Sequence, residues 1–204
     1  MEERIFHYTK GINMKKILTQ EVIKTSKGMT EYGEVSCVSL TTNPVFEKCI
    51  LPMKPVDKTP LDKVAINGII KLSDMSNYMT VTDMKEASDI VRGFYRIEVS
   101  SDLEQLNWYE YRDYCRKRGK TNKKYFIFWE NFLYDNESLY DSLFSLKPIF
   151  MDNWLNIEVR DVETASWRKL TRKDILNIMT MEDVKLFGLK IVHPSMEMLE
   201  VFDN

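Results

Sequence analysis

Arg4-Ile5-Phe6-His7-Tyr8-Thr9 is the stretch that decides the predicted fold of this 204-residue chain. Its apolar, aromatic and hydroxyl side chains are typical of a strand, which would carry His7 on one face and Tyr8 on the other. Residues 11–20 then predict a helix. Residues 35–44, Val-Ser-Cys-Val-Ser-Leu-Thr-Thr-Asn-Pro, predict a second strand that ends in hydroxyl and amide groups.

The two strands, in this order and at this spacing, resemble the N-terminal half of small bacterial and phage proteins with an ADP-ribosyltransferase-like, NAD-binding fold. The resemblance covers residues 1–50 of this sequence. A weaker similarity runs through Phe94–Val99 and Trp154–Val162. The resemblance implies a chain that uses NAD as its substrate or cofactor.

The resemblance also implies roles for the polar residues of the first strand. His7 would hydrogen-bond the nicotinamide ribose and carboxamide, with Tyr8 or Thr9 assisting. A neutral imidazole and a hydroxyl on a rigid strand can do this without adding charge. The residues alone leave a second interpretation open for His7, a core histidine whose ring is satisfied by a backbone carbonyl.

Hydroxyl side chains of the second predicted strand are further cofactor candidates. Proteins of the resembled class brace the NAD pocket with a strand that ends in Ser-Thr-Ser. The corresponding residues here are Ser39, Thr41 and Thr42. They would bind or brace the nicotinamide ribose, or they are polar groups at a sheet edge that water satisfies.

Composition restricts the class of protein. Apolar residues at 44% and charged residues at 29% are typical of a folded globular chain, and we expect a single domain over residues 1–204. A net charge of −2 gives no overall attraction to nucleic acid or to acidic membranes. No apolar run approaches the roughly 18 residues of a membrane span, and Met-Glu-Glu-Arg does not resemble a signal peptide.

Cysteine and histidine usage points to a reducing compartment without a metal site. The three cysteines share no disulfide or metal-ligand spacing, and the two histidines lie far apart in the sequence. We therefore expect a cytoplasmic protein with no membrane partner and no bound metal.

The remaining elements alternate irregularly, which favours an α+β fold with mixed or antiparallel sheets and flanking helices. The resemblance makes that fold ADP-ribosyltransferase-like. Hydrophobic periodicity and capping residues predict strands at Phe94–Val99 and Trp154–Val162, and helices at Thr82–Arg92, Leu103–Arg118, Glu130–Leu146 and Thr171–Met179.

Residues 109–129 combine basic and aromatic side chains, a combination that suits phosphates and stacked bases. The candidate nucleic-acid contacts are Arg112, Arg116, Arg118 and Lys120. A solvated helix end is the alternative, and the balanced charge elsewhere favours it.

Glu158 is the candidate catalytic residue. It lies in the middle of the predicted strand Trp154–Val162, where a carboxylate would stabilise the positive charge that develops on the ribose as the glycosidic bond breaks. The resembled proteins carry such a glutamate on a late strand. Glu163 competes for the role, and an exposed ion-paired residue beside Asn156 and Arg160 is the alternative for Glu158.

Three hypotheses follow from the sequence. The first is NAD-dependent ADP-ribosyl transfer to a protein or nucleic-acid acceptor, or NAD glycohydrolysis. The second is a catalytically inactive binding or inhibitor protein of phage or mobile-element origin on the same fold. The third is a nucleic-acid-binding module built on residues 109–129.

Overall fold

The computed structural model describes residues 3–26, 35–46, 50–56, 78–119, 127, 130–131 and 139–178. The first of the elements in this part of the chain are β1 (Ile5–Lys10), α1 (Gly11–Gln20), β2 (Val22–Ile23), β3 (Val38–Thr41), β4 (Met53–Pro55), β5 (Tyr78–Thr80), α2 (Met84–Val91) and β6 (Phe94–Val99). They are followed by β7 (Leu106–Asn107), α3 (Trp108–Lys117), β8 (Ser142–Ser145), β9 (Ile149–Phe150), β10 (Trp154–Arg160), β11 (Trp167–Lys169) and α4 (Arg172–Ile178).

Seven strands form one sheet in the order β11-β10-β6-β1-β3-β8-β7, while β2 pairs with β9 and β4 with β5. The pairs β1–β3, β3–β8, β7–β8 and β10–β11 are antiparallel. Helices and antiparallel strands are interspersed along the chain, so the predicted α+β class is confirmed. The strands predicted at Phe94–Val99 and Trp154–Val162 are confirmed as β6 and β10, the second ending two residues early.

Local capping signals account for the helices that the sequence predicts well. Asp83 caps α2 by accepting a hydrogen bond of 2.8 Å from the backbone N–H of Glu86. Asn107 caps α3 in a capping box with Glu110, and each side chain accepts from the other residue's backbone N–H. The cap explains why the helix begins at Trp108 rather than at the predicted Leu103.

The predicted helix over Glu130–Leu146 is wrong in its last part. Ser142-Leu143-Phe144-Ser145 is strand β8, which lies antiparallel to β3 with Ser39 opposite Phe144. Each face of this strand carries one serine and one apolar residue, and three of its four residues are buried, so both of its faces are covered. Pairing with a strand distant in sequence outweighed local helix preference here.

The chain packs as two compact units, each assembled from separate segments. Unit 1 comprises residues 1–8, 17–47 and 97–156, and unit 2 comprises residues 9–16, 48–96 and 157–204. The single domain over residues 1–204 that we expect from the length stays a prediction.

The core of unit 1 joins α3 to strands β3 and β8. Tyr111 stacks on Phe144 with ring centroids 4.5 Å apart, and the Tyr111 hydroxyl donates to the backbone oxygen of Val35. Cys37 and Cys115 are buried in the same cluster as free thiols. Burial of these aromatic rings fixes the strand β3, on which several candidate site residues lie.

Unit 2 packs α2 and α4 with residues of β6, β10 and β11. Its buried side chains include Ala87, Val91, Phe94, Ile157 and Ile175. Helix α1 begins at Gly11, where a Cβ atom would lie 1.9 Å from the backbone oxygen of Arg92. Only glycine allows this approach, which positions the turn between α2 and β6.

Candidate functional site

His7 is held by the neighbouring strand. Its Nδ1 lies 2.9 Å from the backbone oxygen of Ser39, and its ring is partly buried. Burial lowers the pKa of His7 below its ordinary value, although the hydrogen bond to Ser39 acts in the opposite direction. Because a carbonyl oxygen only accepts, Nδ1 carries the proton of the neutral ring and Nε2 is the acceptor.

Tyr8 and Thr41 hold the turn that follows β3. The Tyr8 hydroxyl donates to the backbone oxygen of Asn43 at 2.7 Å, and Thr41 Oγ1 accepts from the backbone N–H of Asn43 at 3.1 Å. Both side chains are buried. Their hydroxyls therefore act on the protein's own backbone, which is a bracing role.

The other predicted cofactor residues differ in exposure. The side chain of Ser39 is exposed, whereas Thr9 is buried with 5% of its surface accessible. Thr42 is partly buried and donates from Oγ1 to Oδ1 of Asp141 at 3.3 Å. Ser39 contributes to the His7 environment through its carbonyl group rather than its hydroxyl.

Strand register separates His7 from three of its predicted companions, Tyr8, Ser39 and Thr41. Phe6 of β1 is directly opposite Thr41 of β3, so these two side chains share a face of the sheet. Alternation along β1 puts Tyr8 on that face and His7 on the other. The predicted cofactor set therefore does not line a single face of these two strands.

Glu158 forms a partly buried ion pair within unit 2. Arg96 Nε donates to Glu158 Oε2 at 2.6 Å, and the two side chains are only 7% and 14% exposed. The ion pair agrees with the alternative interpretation of Glu158 as an ion-paired residue, but the pair is largely buried and not exposed as that interpretation expected. A carboxylate held this firmly has one fixed orientation.

An aromatic ring covers the arginine of this pair. The guanidinium carbon of Arg96 lies 4.6 Å from the ring centroid of Trp167, and that of Arg160 lies 5.5 Å from the same centroid. In the β10–β11 pairing Arg160 is opposite Trp167 and Glu158 is opposite Lys169. Glu158, Arg160, Trp167 and Lys169 consequently share one face of this strand pair, and the sequence alone connected only Glu158 with Arg160.

Glu163, the competing carboxylate, lies beyond the end of β10 and is exposed. Its backbone N–H donates to Oδ1 of Asp161 at 2.9 Å, as does the N–H of Thr164. These hydrogen bonds, with the N–H of Thr164 the stronger contributor, hold the pKa of the Asp161 carboxyl below its ordinary value. Asp161 shapes the turn, while the Glu163 side chain has no comparable anchor among the contacts described for this turn.

A cleft of about 480 Å³ in unit 2 is lined by Glu163 and by residues that sequence analysis did not single out. Tyr95 is buried at its base, and burial followed by the charge of Asp174 raises the pKa of its hydroxyl. Arg168 and Asp174 join across the lining in a two-pronged ion pair of 2.7 and 2.8 Å. The lining carries three arginines and four carboxylates, so the cleft has no strongly dominant sign of charge.

Two of the proposed nucleic-acid contacts are paired with carboxylates of their own unit. Arg112 lies 3.0 Å from Glu130, and Arg116 lies 3.2 Å from Asp113. Each pair offsets positive charge that a phosphate would otherwise meet. Both pairs are partly exposed, so they remain in contact with solvent.

Arg118 differs from these two arginines. Its guanidinium carbon lies 4.4 Å from the ring centroid of Tyr114, and the side chain is exposed. Lys120, the fourth candidate, lies outside the described residues. The described part of segment 109–129 thus contains ion pairs and two arginine–aromatic contacts, since the guanidinium carbon of Arg112 also lies 5.3 Å from the ring centroid of Tyr109.

The chain has a limited similarity to a known protein. The chain is 31% identical over 93 residues to a methionyl-tRNA formyltransferase of Dehalococcoides mccartyi, a match that covers 43% of this chain and 30% of that protein. The match thus spans 30% of the length of that relative. No family model matches the chain, and no solved structure matches it.

Within the ranges described above, no helix combines the length and apolar character needed to cross a bilayer. The same residues contain no grouping of three or more histidine, cysteine, aspartate or glutamate side chains that would hold a metal ion.

Proposed function

We propose that this chain binds NAD and cleaves its nicotinamide–ribose bond, passing ADP-ribose to a protein or nucleic-acid acceptor or to water. In this reaction the C–N bond breaks and its electron pair stays on the nicotinamide nitrogen. The acceptor forms a new bond to the ribose carbon and releases a proton to solvent. The resemblance of residues 1–50 to ADP-ribosyltransferase-like proteins motivates the proposal.

The state of His7 is the observation that carries the proposal. Its ring is oriented by the Ser39 carbonyl, and burial lowers its pKa, so the imidazole is neutral near pH 7. A neutral, fixed Nε2 suits a ribose hydroxyl donor, and it adds no positive charge beside a nicotinamide ring that is itself cationic. Any neutral histidine that donates from Nδ1 has an accepting Nε2, so this tautomer permits the proposed role and equally suits a structural histidine.

The predicted hydroxyl groups support His7 indirectly. Tyr8 and Thr41 fix the turn at Asn43, next to the strand whose carbonyl orients the imidazole. Their buried donors and acceptors are used within the protein, so His7 is the residue proposed to touch the nicotinamide ribose. Ser39 has an exposed hydroxyl, but alternation along β3 puts it on the face of Thr41 rather than that of His7, so it is not proposed to touch the same ribose.

Glu158 is the proposed catalytic carboxylate. Its fixed orientation supports this role because preorganised charge stabilises a developing cation without reorganisation during the reaction. Glu163 is exposed in a turn, so it would need ordering before it could act. We therefore prefer Glu158 over Glu163.

Measuring NAD binding and NAD cleavage on the same samples tests the proposal. Glu158→Gln should lower the turnover number by more than about 100-fold, with NAD affinity kept within about threefold, because the lost interaction belongs to the transition state. His7→Ala should weaken NAD binding instead. NAD cleavage that persists undiminished in Glu158→Gln would remove Glu158 from the reaction, and no binding of NAD by the unaltered chain would end the proposal.

The same measurements separate the inactive-protein hypothesis from the enzyme. A chain that binds NAD in a His7-dependent way but does not cleave it would be a binding or inhibitor protein on the proposed fold. The matched control for these variants is Lys147→Gln, because Lys147 pairs with Glu104 on the open surface of unit 1 with 77% and 75% exposed side chains.

A further inference from the structure

We infer that Arg96 and Trp167 form a positioning pair that sets the orientation of the Glu158 carboxylate for NAD cleavage. The inference rests on the proposed function and deepens it. Neither residue would touch NAD. Arg96 acts through its hydrogen bond to Glu158, and Trp167 acts by holding Arg96.

The position of Arg96 leaves its guanidinium little freedom. Arg96 lies on β6 with 5% of its surface exposed, between strands β1 and β10 of the sheet order. Its Nε, the nitrogen nearest the backbone, donates to Glu158 at 2.6 Å. Because this N–H lies in the plane of the guanidinium, its hydrogen bond to Glu158 restricts rotation of the whole group.

Trp167 restrains the guanidinium from the edge of the sheet. Its strand, β11, pairs with β10, yet its ring lies 4.6 Å from the Arg96 carbon on β6. The indole therefore reaches across β10 to cover the arginine. A partly desolvated contact between a guanidinium and an indole is attractive, so the ring opposes any rotation of Arg96 that would release Glu158.

A second pair in the chain shows what the Arg96 arrangement adds. Arg4 donates to Glu98 through two nitrogens at 2.7 and 2.6 Å and lies 5.0 Å from the Phe6 ring centroid. An arginine, a glutamate and an aromatic ring are thus combined in unit 1 as well, with phenylalanine in the place of tryptophan. The Arg4 side chain, however, is 52% exposed, against 7% for Arg96. Arg4→Met is consequently a matched control that removes an arginine–glutamate pair without touching the proposed machinery.

Orientation of Glu158 matters because the carboxylate must face the ribose carbon where positive charge develops. Misplacing a catalytic group by about 1 Å can lower a rate by about 100-fold. Removing Arg96 would leave Glu158 present but free to adopt other rotamers. The expected loss is therefore in the turnover number rather than in NAD affinity.

The test measures kcat and KM for NAD cleavage by the full chain. We expect Arg96→Met to lower kcat by about 100-fold with KM changed by less than about threefold, Trp167→Leu to lower kcat by about tenfold, and Arg4→Met to leave both unchanged. Arg96→Lys keeps a charge next to Glu158 but loses the planar geometry, so its kcat should fall between those of the unaltered chain and Arg96→Met.

The outcomes distinguish this inference from the proposed function. If Glu158→Gln abolishes turnover while Arg96→Met and Trp167→Leu keep the full kcat, the positioning role is overturned and the catalytic role stands. If Glu158→Gln leaves turnover unchanged, Glu158 is not the catalytic carboxylate and the inference fails, while NAD cleavage itself stands. If the unaltered chain does not cleave NAD, the proposed reaction fails and the inference with it. Should Arg96→Met not fold, as judged by circular dichroism, Arg96→Lys and Trp167→Leu decide the question. Equal losses in Arg4→Met would show a general effect of breaking an ion pair and would also overturn the inference.

Discussion

Arg96 Nε and Glu158 Oε2 lie 2.6 Å apart on neighbouring strands, 62 residues apart in the sequence. Both side chains are largely removed from water. A charge in that position is costly unless its partner is present, and the partner stabilises it only while the geometry holds. The pair therefore links the orientation of a proposed catalytic group to the stability of unit 2.

Replacing one partner of this ion pair should destabilise the chain more than replacing both partners. We expect Arg96→Met to lower the free energy of unfolding by about 3 kcal/mol, since Glu158 is then left as an unpaired, partly buried charge. Adding Glu158→Gln to Arg96→Met should recover much of the loss. Urea unfolding of the two single variants and the double variant measures the coupling, and additive losses would show that the two charges act independently.

Acid should weaken the contact between β11 and α4. Burial alone would raise the pKa of Asp174, but hydrogen bonds from Arg168 and Thr171 and the charge of Arg168 outweigh it and lower the pKa below the ordinary 3.8. The unfolded chain therefore binds this proton first as the pH falls. The stabilisation by Asp174 is complete above pH 3.8 and is lost as the pH drops through the folded-state pKa.

Asp174→Asn supplies the measurement for that prediction. The variant keeps the shape of the side chain and loses its charge, so it should be less stable than the unaltered chain near neutral pH. The difference between their urea midpoints should shrink as the pH falls below 3.8. A difference that stays constant over this pH range would mean that the carboxylate charge contributes nothing to folding.

Elements with local signals were predictable from the sequence. Helix α2 has its cap at Asp83 and Gly93 just beyond its end, and β10 alternates apolar and polar side chains. Strand β8 was not predictable in this way. Ser142–Ser145 becomes a strand because β3 pairs with it, and β3 is distant in the sequence.

The candidate site was predictable in residue type but not in contacts. The chemistry of His7 allowed a carbonyl partner, and the structure identifies that partner as Ser39. The division of His7 and Thr41 between two faces depends on strand register, which no short pattern encodes. Arg96 carried no signal for its contact with Glu158, since a basic residue within a strand is ordinarily exposed.

The basic segment 109–129 should contribute little to nucleic-acid binding through its paired arginines. We expect Arg112→Gln and Arg116→Gln to leave the affinity for a labelled single-stranded oligonucleotide and its salt dependence unchanged, because Glu130 and Asp113 already offset these charges. Fluorescence anisotropy at several salt concentrations measures both quantities. Arg118→Gln is the comparison variant, since Tyr114 is its described partner.

A steep salt dependence that becomes shallower in both Arg112→Gln and Arg116→Gln would contradict this expectation. It would show that phosphates compete successfully with the carboxylate partners. The nucleic-acid-binding hypothesis would then gain support independently of NAD.

His7 should titrate below its ordinary value, and folding stability should follow. Burial lowers the pKa of His7 from 6.5, so the unfolded chain takes up this proton at a higher pH than the folded chain. Stability attributable to His7 is therefore complete above pH 6.5 and falls as the pH drops through the interval between 6.5 and the folded-state pKa. His7→Gln, which retains a donor for the Ser39 carbonyl but does not titrate, should show a smaller loss of stability over the same interval.

Proton NMR gives the direct measurement of that titration. The chain has two histidines, so the imidazole resonance that disappears in His7→Gln belongs to His7. We expect its midpoint below 6.5. A midpoint at or above 6.5 would mean that the ring is cationic over part of the neutral range. In the cationic ring Nε2 also carries a proton, because Nδ1 already holds the proton that it donates to the Ser39 carbonyl. Nε2 could then no longer accept the hydrogen bond on which the NAD proposal depends.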